Sequence, residues 1–81
     1  MNSTLLAVQN IFREVFDNPA LVVTPKTGPA DVEGWDSVGQ VKLILAIEEQ
    51  FGFRFSEADV TQIATVGQFV AAIDRLTGTA A

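Results

Sequence analysis

The sequence predicts an all-α protein, a right-handed four-helix bundle built of three main helices and a short third helix. Three observations lead there. Apolar residues recur at spacings of three and four in separate runs, each run is bounded by residues that start or stop helices, and no run shows the sustained period-two alternation of a half-buried strand. A chain of 81 residues makes one small domain, expected to span 1–81 and to bury about 60–65% of its unfolded surface around a single core.

Leu5, Val8, Phe12, Val15 and Phe16 fall at helical spacing with Ile11 on the flank, and Asn18-Pro19 closes the run, so a first helix is expected over about 3–17. Residues 18–36 hold Pro19, Pro25, Gly28, Pro29 and Gly34, with one apolar patch at Leu21-Val22-Val23. They read as a long loop pinned once to the core, and a loop of that length is usually functional or disordered. The most apolar helix follows from Val38 to Phe51, with Gly52 suited to a left-handed cap. Ser56-Glu57-Ala58-Asp59 starts a short helix: Ser56 caps, Asp59 stands at the third position, and the turn stops by Ala64. Thr65 and Gln68 form a capping-box pattern ahead of Val66, Phe69, Val70, Ile73 and Leu76, a last helix that runs to Gly78 and leaves a disordered tail at about 78–81. Phe51, Phe53 and Phe55 alternate but are too short a run to argue for a strand. The expected core is Leu5, Val8, Phe12, Leu43, Ile47, Phe51, Phe69, Val70 and Ile73.

Composition excludes several functions. Cysteine and histidine are both absent, which removes disulfides, thiolate nucleophiles, the usual zinc ligands and any histidine base, so unaided catalysis is not expected. Ten acidic residues against five basic ones give a net charge of −5, which opposes nucleic-acid binding and favours a partner with a basic face. The N-terminus has neither a cationic region nor a long apolar run, so no signal peptide or membrane span is expected and a cytoplasmic, monomeric protein is the default. Asp31, Glu33 and Asp36 are spaced loosely like a calcium loop, but Trp35 stands where a ligand belongs and Lys42 where the closing carboxylate would fall. No metal site is expected.

The second main helix carries two apolar stripes. Leu43, Ile47 and Phe51 make one, and Val38, Val41 and Leu45 make the other. In the reading adopted here the first enters the core and the second lies on the surface as a docking patch beside Ser37; spacing alone equally admits a helix buried all round. Ser37 itself has two local readings. With Gln40 three residues on it fits a capping box, whereas if Asp36 caps the helix, Ser37 occupies the first helical position with its hydroxyl free to react. Backbone N–H groups and the positive end of the helix dipole there suit a phosphate.

The run Gly34-Trp35-Asp36-Ser37-Val38-Gly39-Gln40-Val41, followed by Leu43, Ala46, Ile47, Glu48, Glu49, Phe51 and Gly52, resembles the acyl carrier proteins of fatty-acid and polyketide synthesis. Their signature is Asp-Ser-Leu, an apolar helix, acidic residues and Phe-Gly. Phe55 to Asp59 and Ile63 to Phe69 also resemble the family's short third helix and the start of its fourth, so the similarity covers about residues 5–76. The resemblance implies that a phosphopantetheinyl transferase moves 4′-phosphopantetheine from coenzyme A onto the Ser37 hydroxyl, with Asp36 orienting the approach and helping to hold the transferase's metal. The arm would supply the thiol this cysteine-free chain lacks and carry acyl intermediates to an acyl-loading enzyme, a ketosynthase or other acyl-processing enzymes. A start at Met1 and a last helix ending shortly before the C-terminus are expected of a discrete protein, and an excised domain of a megasynthase would look similar.

The chain departs from the family pattern in ways that narrow the expectation. Val38 replaces leucine, and Gly39 and Lys42 stand where fatty-acid carriers are commonly acidic. Asp36, Lys42, Glu48 and Glu49 leave the helix a net charge of only −2. The residues expected to meet partners are Trp35, Val38, Val41, Leu45, Glu48 and Glu49, with the apolar patch outweighing charge, as in a pathway-specific carrier. Gly39 either lets a partner approach closely or is simply tolerated near a helix end, and Trp35 can pack in the loop or core as well as meet a partner. Ile44 and Ala46 are candidates to line an acyl groove between the second and third helices. The alternatives are an aminoacyl or peptidyl carrier, which the Trp35 motif fits less well, and an unmodified helical adaptor in which Ser37 is only a cap.

Overall fold

The computed structural model describes residues 3–78. Four α-helices follow one another: α1 (Ser3–Val15), α2 (Ser37–Phe51), α3 (Glu57–Gln62) and α4 (Val66–Thr77), with one 3₁₀ turn at Pro29–Asp31. There is no strand among the described residues, and none of these helices is long and apolar enough to cross a membrane. The all-α, four-helix expectation holds. Residues 79–81 of the expected disordered tail lie outside the described residues.

Helix ends follow the capping chemistry in the sequence with one exception. Ser56 and Thr65 cap α3 and α4 in reciprocal boxes with Asp59 and Gln68, and Gly52 and Gly78 close α2 and α4 in the left-handed region. The exception is α1, which stops at Val15 instead of about residue 17. Asp17 takes φ 50°, and the Asn18 and Asp17 N–H groups donate to the carbonyls of Arg13 and Glu14. That is a Schellman closure made by an aspartate where glycine is usual, so no glycine signalled it.

α1 packs against both α2 and α4. Val8, Phe12, Leu43, Ile47, Phe69 and Ile73 are buried as expected, whereas Leu5, Phe51 and Val70 are only partly buried against this core. Ile11 is fully in the core and not on its flank. The Thr4 hydroxyl, also buried, donates to Asp74 at 2.6 Å and ties the start of α1 to α4.

The loop over 18–36 is pinned three times, not once. Val23, Val32 and Trp35 are all buried, and backbone groups along it have partners: Val23 N–H donates to Gln9 at 3.1 Å, Leu21 C=O accepts from Arg13 at 2.7 Å, and the N–H groups of Val66 and Gly67 donate to Thr27 and Pro25. The last two occupy donors that a helix N-terminus would otherwise leave unpaired. Valines and tryptophan spaced irregularly through proline-rich sequence give no periodic signal, which is why spacing found one anchor.

α3 contributes no buried residue and is tied to α4 by the Asp59–Arg75 ion pair, the one side-chain bond between α3 and another helix among the described residues. Asp59 accepts from the Ser56 hydroxyl, then the Ser56 N–H and Arg75, and these hold its carboxyl below the usual value of 3.8. A depressed folded-state pKa contributes stability that is present above the unfolded pKa and lost as pH falls through the folded one. Asp59→Asn is therefore expected to melt below wild type at neutral pH, and the gap in Tm is expected to close as pH is lowered through 3.8 and beyond. Parallel thermal melts across that range check it.

Gly39 overturns both sequence expectations. It is buried, facing neither a partner nor solvent, and a Cβ there would lie 2.4 Å from the Gly34 carbonyl oxygen and 3.0 Å from the Phe16 ring. The first turn of α2 can approach α1 and the loop only without a side chain. Gly39→Ala is expected to destabilise by about 1–3 kcal/mol through overpacking, despite the gain of about 0.5–1 kcal/mol that alanine brings to a helix. Chemical denaturation reads the sign directly.

Candidate functional site

The site lies where the loop turns into α2. Trp35 fixes the approach: its ring is 5% exposed, meets Phe12 edge-on at 5.0 Å between centroids and lies 6.2 Å from Phe69. Its indole N–H donates to Gln40 Oε1 at 2.7 Å. Trp35 therefore departs from the expectation of a partner contact, because an aromatic ring so placed is held inside by its neighbours and leaves almost nothing for a partner to touch. Gln40 likewise is not the reciprocal partner of Ser37, since its side chain is taken by the indole.

Asp36 caps α2. Its backbone is extended, φ −116° and ψ −162°, and its Oδ1 accepts from the Gly39 N–H at 2.9 Å. Ser37 thereby stands at the first helical position, exposed, and its hydroxyl makes no hydrogen bond among the described residues. The N–H groups of Ser37 and Val38 also have no acceptor there, as expected of a first turn in which the single cap reaches only the third position. A free hydroxyl, two free backbone donors and the positive helix end converge on one spot, which suits an anionic phosphate ester.

From this spot α2 presents an outward ridge. Val38 is 63%, Val41 55% and Leu45 59% exposed, while Leu43 and Ile47 on the opposite side are completely buried. The helix is two-faced, and burial all round is excluded. Lys42 and Glu49 are exposed beside the ridge. Glu48 differs from the expectation of a free recognition acid: it is half-buried, and its Oε2 accepts from the Phe55 N–H at 2.8 Å. That bond anchors the turn after α2, where Phe51, Phe53 and Phe55 pack ring to ring and onward to Phe69.

A shallow cleft of about 400 Å³ opens beside Ser37, lined by Pro29, Trp35, Asp36, Gln40, Val60, Ile63 and Ala64. It lies between the start of α2 and α3, where a groove was expected, but Ile44 and Ala46 do not line it; both pack against the core. Val60 was missed because a six-residue helix shows too little periodicity to assign its faces, and Ile63 and Ala64 because they lie just past its end in the connection to α4. The signal available was the pair of apolar residues three apart, Val60 and Ile63.

Comparison with known proteins converges on this geometry. The family described as the phosphopantetheine attachment site matches residues 7–73. The acyl carrier protein of Thermotoga maritima is 32% identical over 71 residues, 88% of each chain. That of Acidothermus cellulolyticus is 33% identical over 66 residues, 82% of this chain and 79% of the relative. Among solved structures, the solution structure of holo acyl carrier protein from Geobacter metallireducens superposes with a TM-score of 0.85 at 31% identity, covering 91% of this chain and 85% of that one. A putative acyl carrier protein from Mycobacterium tuberculosis shares the fold with a TM-score of 0.81 at 22% identity, covering 91% and 99%. With its phosphopantetheine attachment domain on a four-helix scaffold of this kind, the chain belongs to the acyl carrier protein family.

Proposed function

We propose that Ser37 is the residue that receives 4′-phosphopantetheine, and that the chain is a carrier presenting acyl thioesters to the enzymes of a polyketide or related specialised pathway. The observation that carries the first part is that Asp36, and not Ser37, caps α2. The Ser37 oxygen is thus uncommitted and outward, and the unpaired Ser37 and Val38 N–H groups are available to a phosphate oxygen. When bound, the arm supplies a terminal thiol for acyl transfer. This chain's residues do the rest: Asp36 holds the turn with one carboxylate oxygen and, being exposed, can be reached by a transferase, and Gln40 steadies Trp35 through its indole N–H.

The second part rests on the ridge of α2. Val38, Val41 and Leu45 are exposed together along one helix face, and the acidic residues of α2 are offset by Lys42, while the Glu48 carboxylate is engaged by the Phe55 N–H. Apolar burial with local charge matching then selects partners, as it does at small transient interfaces. Such partners are a phosphopantetheinyl transferase, an acyl-loading enzyme and a ketosynthase or comparable acyl-processing enzyme.

Incubation with coenzyme A, Mg²⁺ and a broad-specificity phosphopantetheinyl transferase is expected to add one phosphopantetheine by intact mass, and Ser37→Ala is expected to add none. Because the Ser37 hydroxyl makes no bond among the described residues, Ser37→Ala should hold its stability to within about 0.5 kcal/mol, whereas Asp36→Ala should lose about 1 kcal/mol with the cap. An unmodified wild type together with a destabilised Ser37→Ala would instead establish the adaptor reading.

Val41→Glu places a charge in the ridge without touching the core. Steady-state transfer of the arm should fall by about tenfold or more in kcat/KM, the effect of spoiling one well-buried interface contact, with Tm unchanged. Equal kcat/KM in both proteins would remove the ridge from transferase docking.

A further inference from the structure

The cleft beside Ser37 has a floor, and the floor is closed. Its inner wall is formed by Trp35 and by Ile63, which are 5% and 8% exposed. Behind Trp35 stand Phe12 and Phe69, both with no exposed surface, and the three rings interlock: Trp35 meets Phe12 edge-on, and Phe12 meets Phe69 edge-on at 6.3 Å. The indole cannot swing aside freely, because its N–H is held by Gln40 at 2.7 Å on the α2 side of the same cleft. Rotating it outward breaks that bond and its ring contacts with Phe12 and Phe69 at once, at a cost no single methylene of a ligand offsets.

An apolar chain hanging from Ser37 therefore meets a shallow surface and not a path into the bundle. A long aliphatic group gains only partial burial there, on Val60, Ala64 and Pro29, and keeps most of its length in water. Interiors packed to this density do not open for a guest without displacing side chains.

We infer that Trp35 closes the core to the cargo, so that this carrier is built for short acyl groups, which have little apolar surface to hide, presented on the exterior beside α2. The inference rests on Ser37 as the attachment residue. It assigns Trp35 a role in substrate selection by exclusion, in place of the partner contact expected of it.

Trp35 is the only tryptophan of the chain, so its fluorescence reports the cleft floor without labelling. Acetyl, butyryl and octanoyl forms of the intact protein can be prepared with the transferase and the corresponding acyl-coenzyme A, and checked by mass. The expectation is that Trp35 emission and Tm are the same in all three, and that hydroxylamine cleaves the three thioesters at rates within about twofold, since none is sheltered. An octanoyl form that melts higher, shifts the tryptophan emission and is cleaved about tenfold more slowly, the signature of a thioester buried nine-tenths of the time, would overturn it. Trp35→Leu is expected to acquire that chain-length dependence; should it fail to fold, the wild-type series decides alone. A chain that takes no arm at Ser37 in the preparative step overturns the attachment reading and this inference with it, and the mass separates that outcome from an octanoyl form that forms and is sheltered.

Discussion

The edge of the Trp35 ring against Phe12 sets where α2 begins. Phe12 belongs to α1 and also meets Phe69 of α4, so one aromatic cluster joins the two long helices that frame the bundle to the last residue but one before α2. Once the indole is fixed, the chain has only Asp36 in which to turn from loop to helix. The cap, the first-turn position of Ser37 and the direction of the α2 ridge all follow from that one anchoring. Burial of a group as large as tryptophan brings several kcal/mol of apolar transfer, enough to hold a proline-rich loop that has little regular structure of its own.

A second constraint works with the first. Gly39 lets the first turn of α2 lie against the Gly34 carbonyl and the Phe16 ring, and the Asp36 carboxylate bonds to that same Gly39 N–H. The helix start is thus clamped from inside by packing and from outside by a cap. The polar groups left over are the Ser37 hydroxyl and two backbone N–H groups, all facing solvent. The helix start is held on both sides and the Ser37 hydroxyl stands on an exposed residue, which is the preorganisation that the proposed phosphate attachment would use.

What could be read in the sequence divides along physical lines. Periodic signals were reliable for the most part: in the Leu43/Ile47/Phe51 stripe the first two are buried and Phe51 is partly so, the Val38/Val41/Leu45 stripe is exposed, and the caps at Ser56, Thr65, Gly52 and Gly78 stand where they were expected. Signals that depend on contacts distant in sequence were not. Nothing local to Gly39 tells of Phe16, more than twenty residues earlier, and nothing local to Trp35 tells of Phe12 and Phe69. Glu48 reads as a solvated acid until the backbone of Phe55 folds back to meet it. The choice between Asp36 and Ser37 as cap was undecidable from propensity because both are good caps; the tertiary position of Trp35 decides it.

The exposed ridge of α2 also has a thermodynamic reading. Three aliphatic side chains left more than half in water forgo most of the roughly 1.5–3 kcal/mol that burial of each would contribute, in a domain small enough for that to matter. A helix selected for stability alone would carry polar residues there. The proposed docking role gives them a use if the same surface is covered intermittently, and three residues on one helix face make an interface too small to be permanent. With Ser37 as the proposed attachment residue, a carrier that must leave each enzyme after each step would be served by such a contact: apolar enough to register Ser37 against an active site, small enough to dissociate, and mixed in charge, with Lys42 and Glu49 beside the ridge, so that a partner must match it locally and a merely basic surface does not suffice.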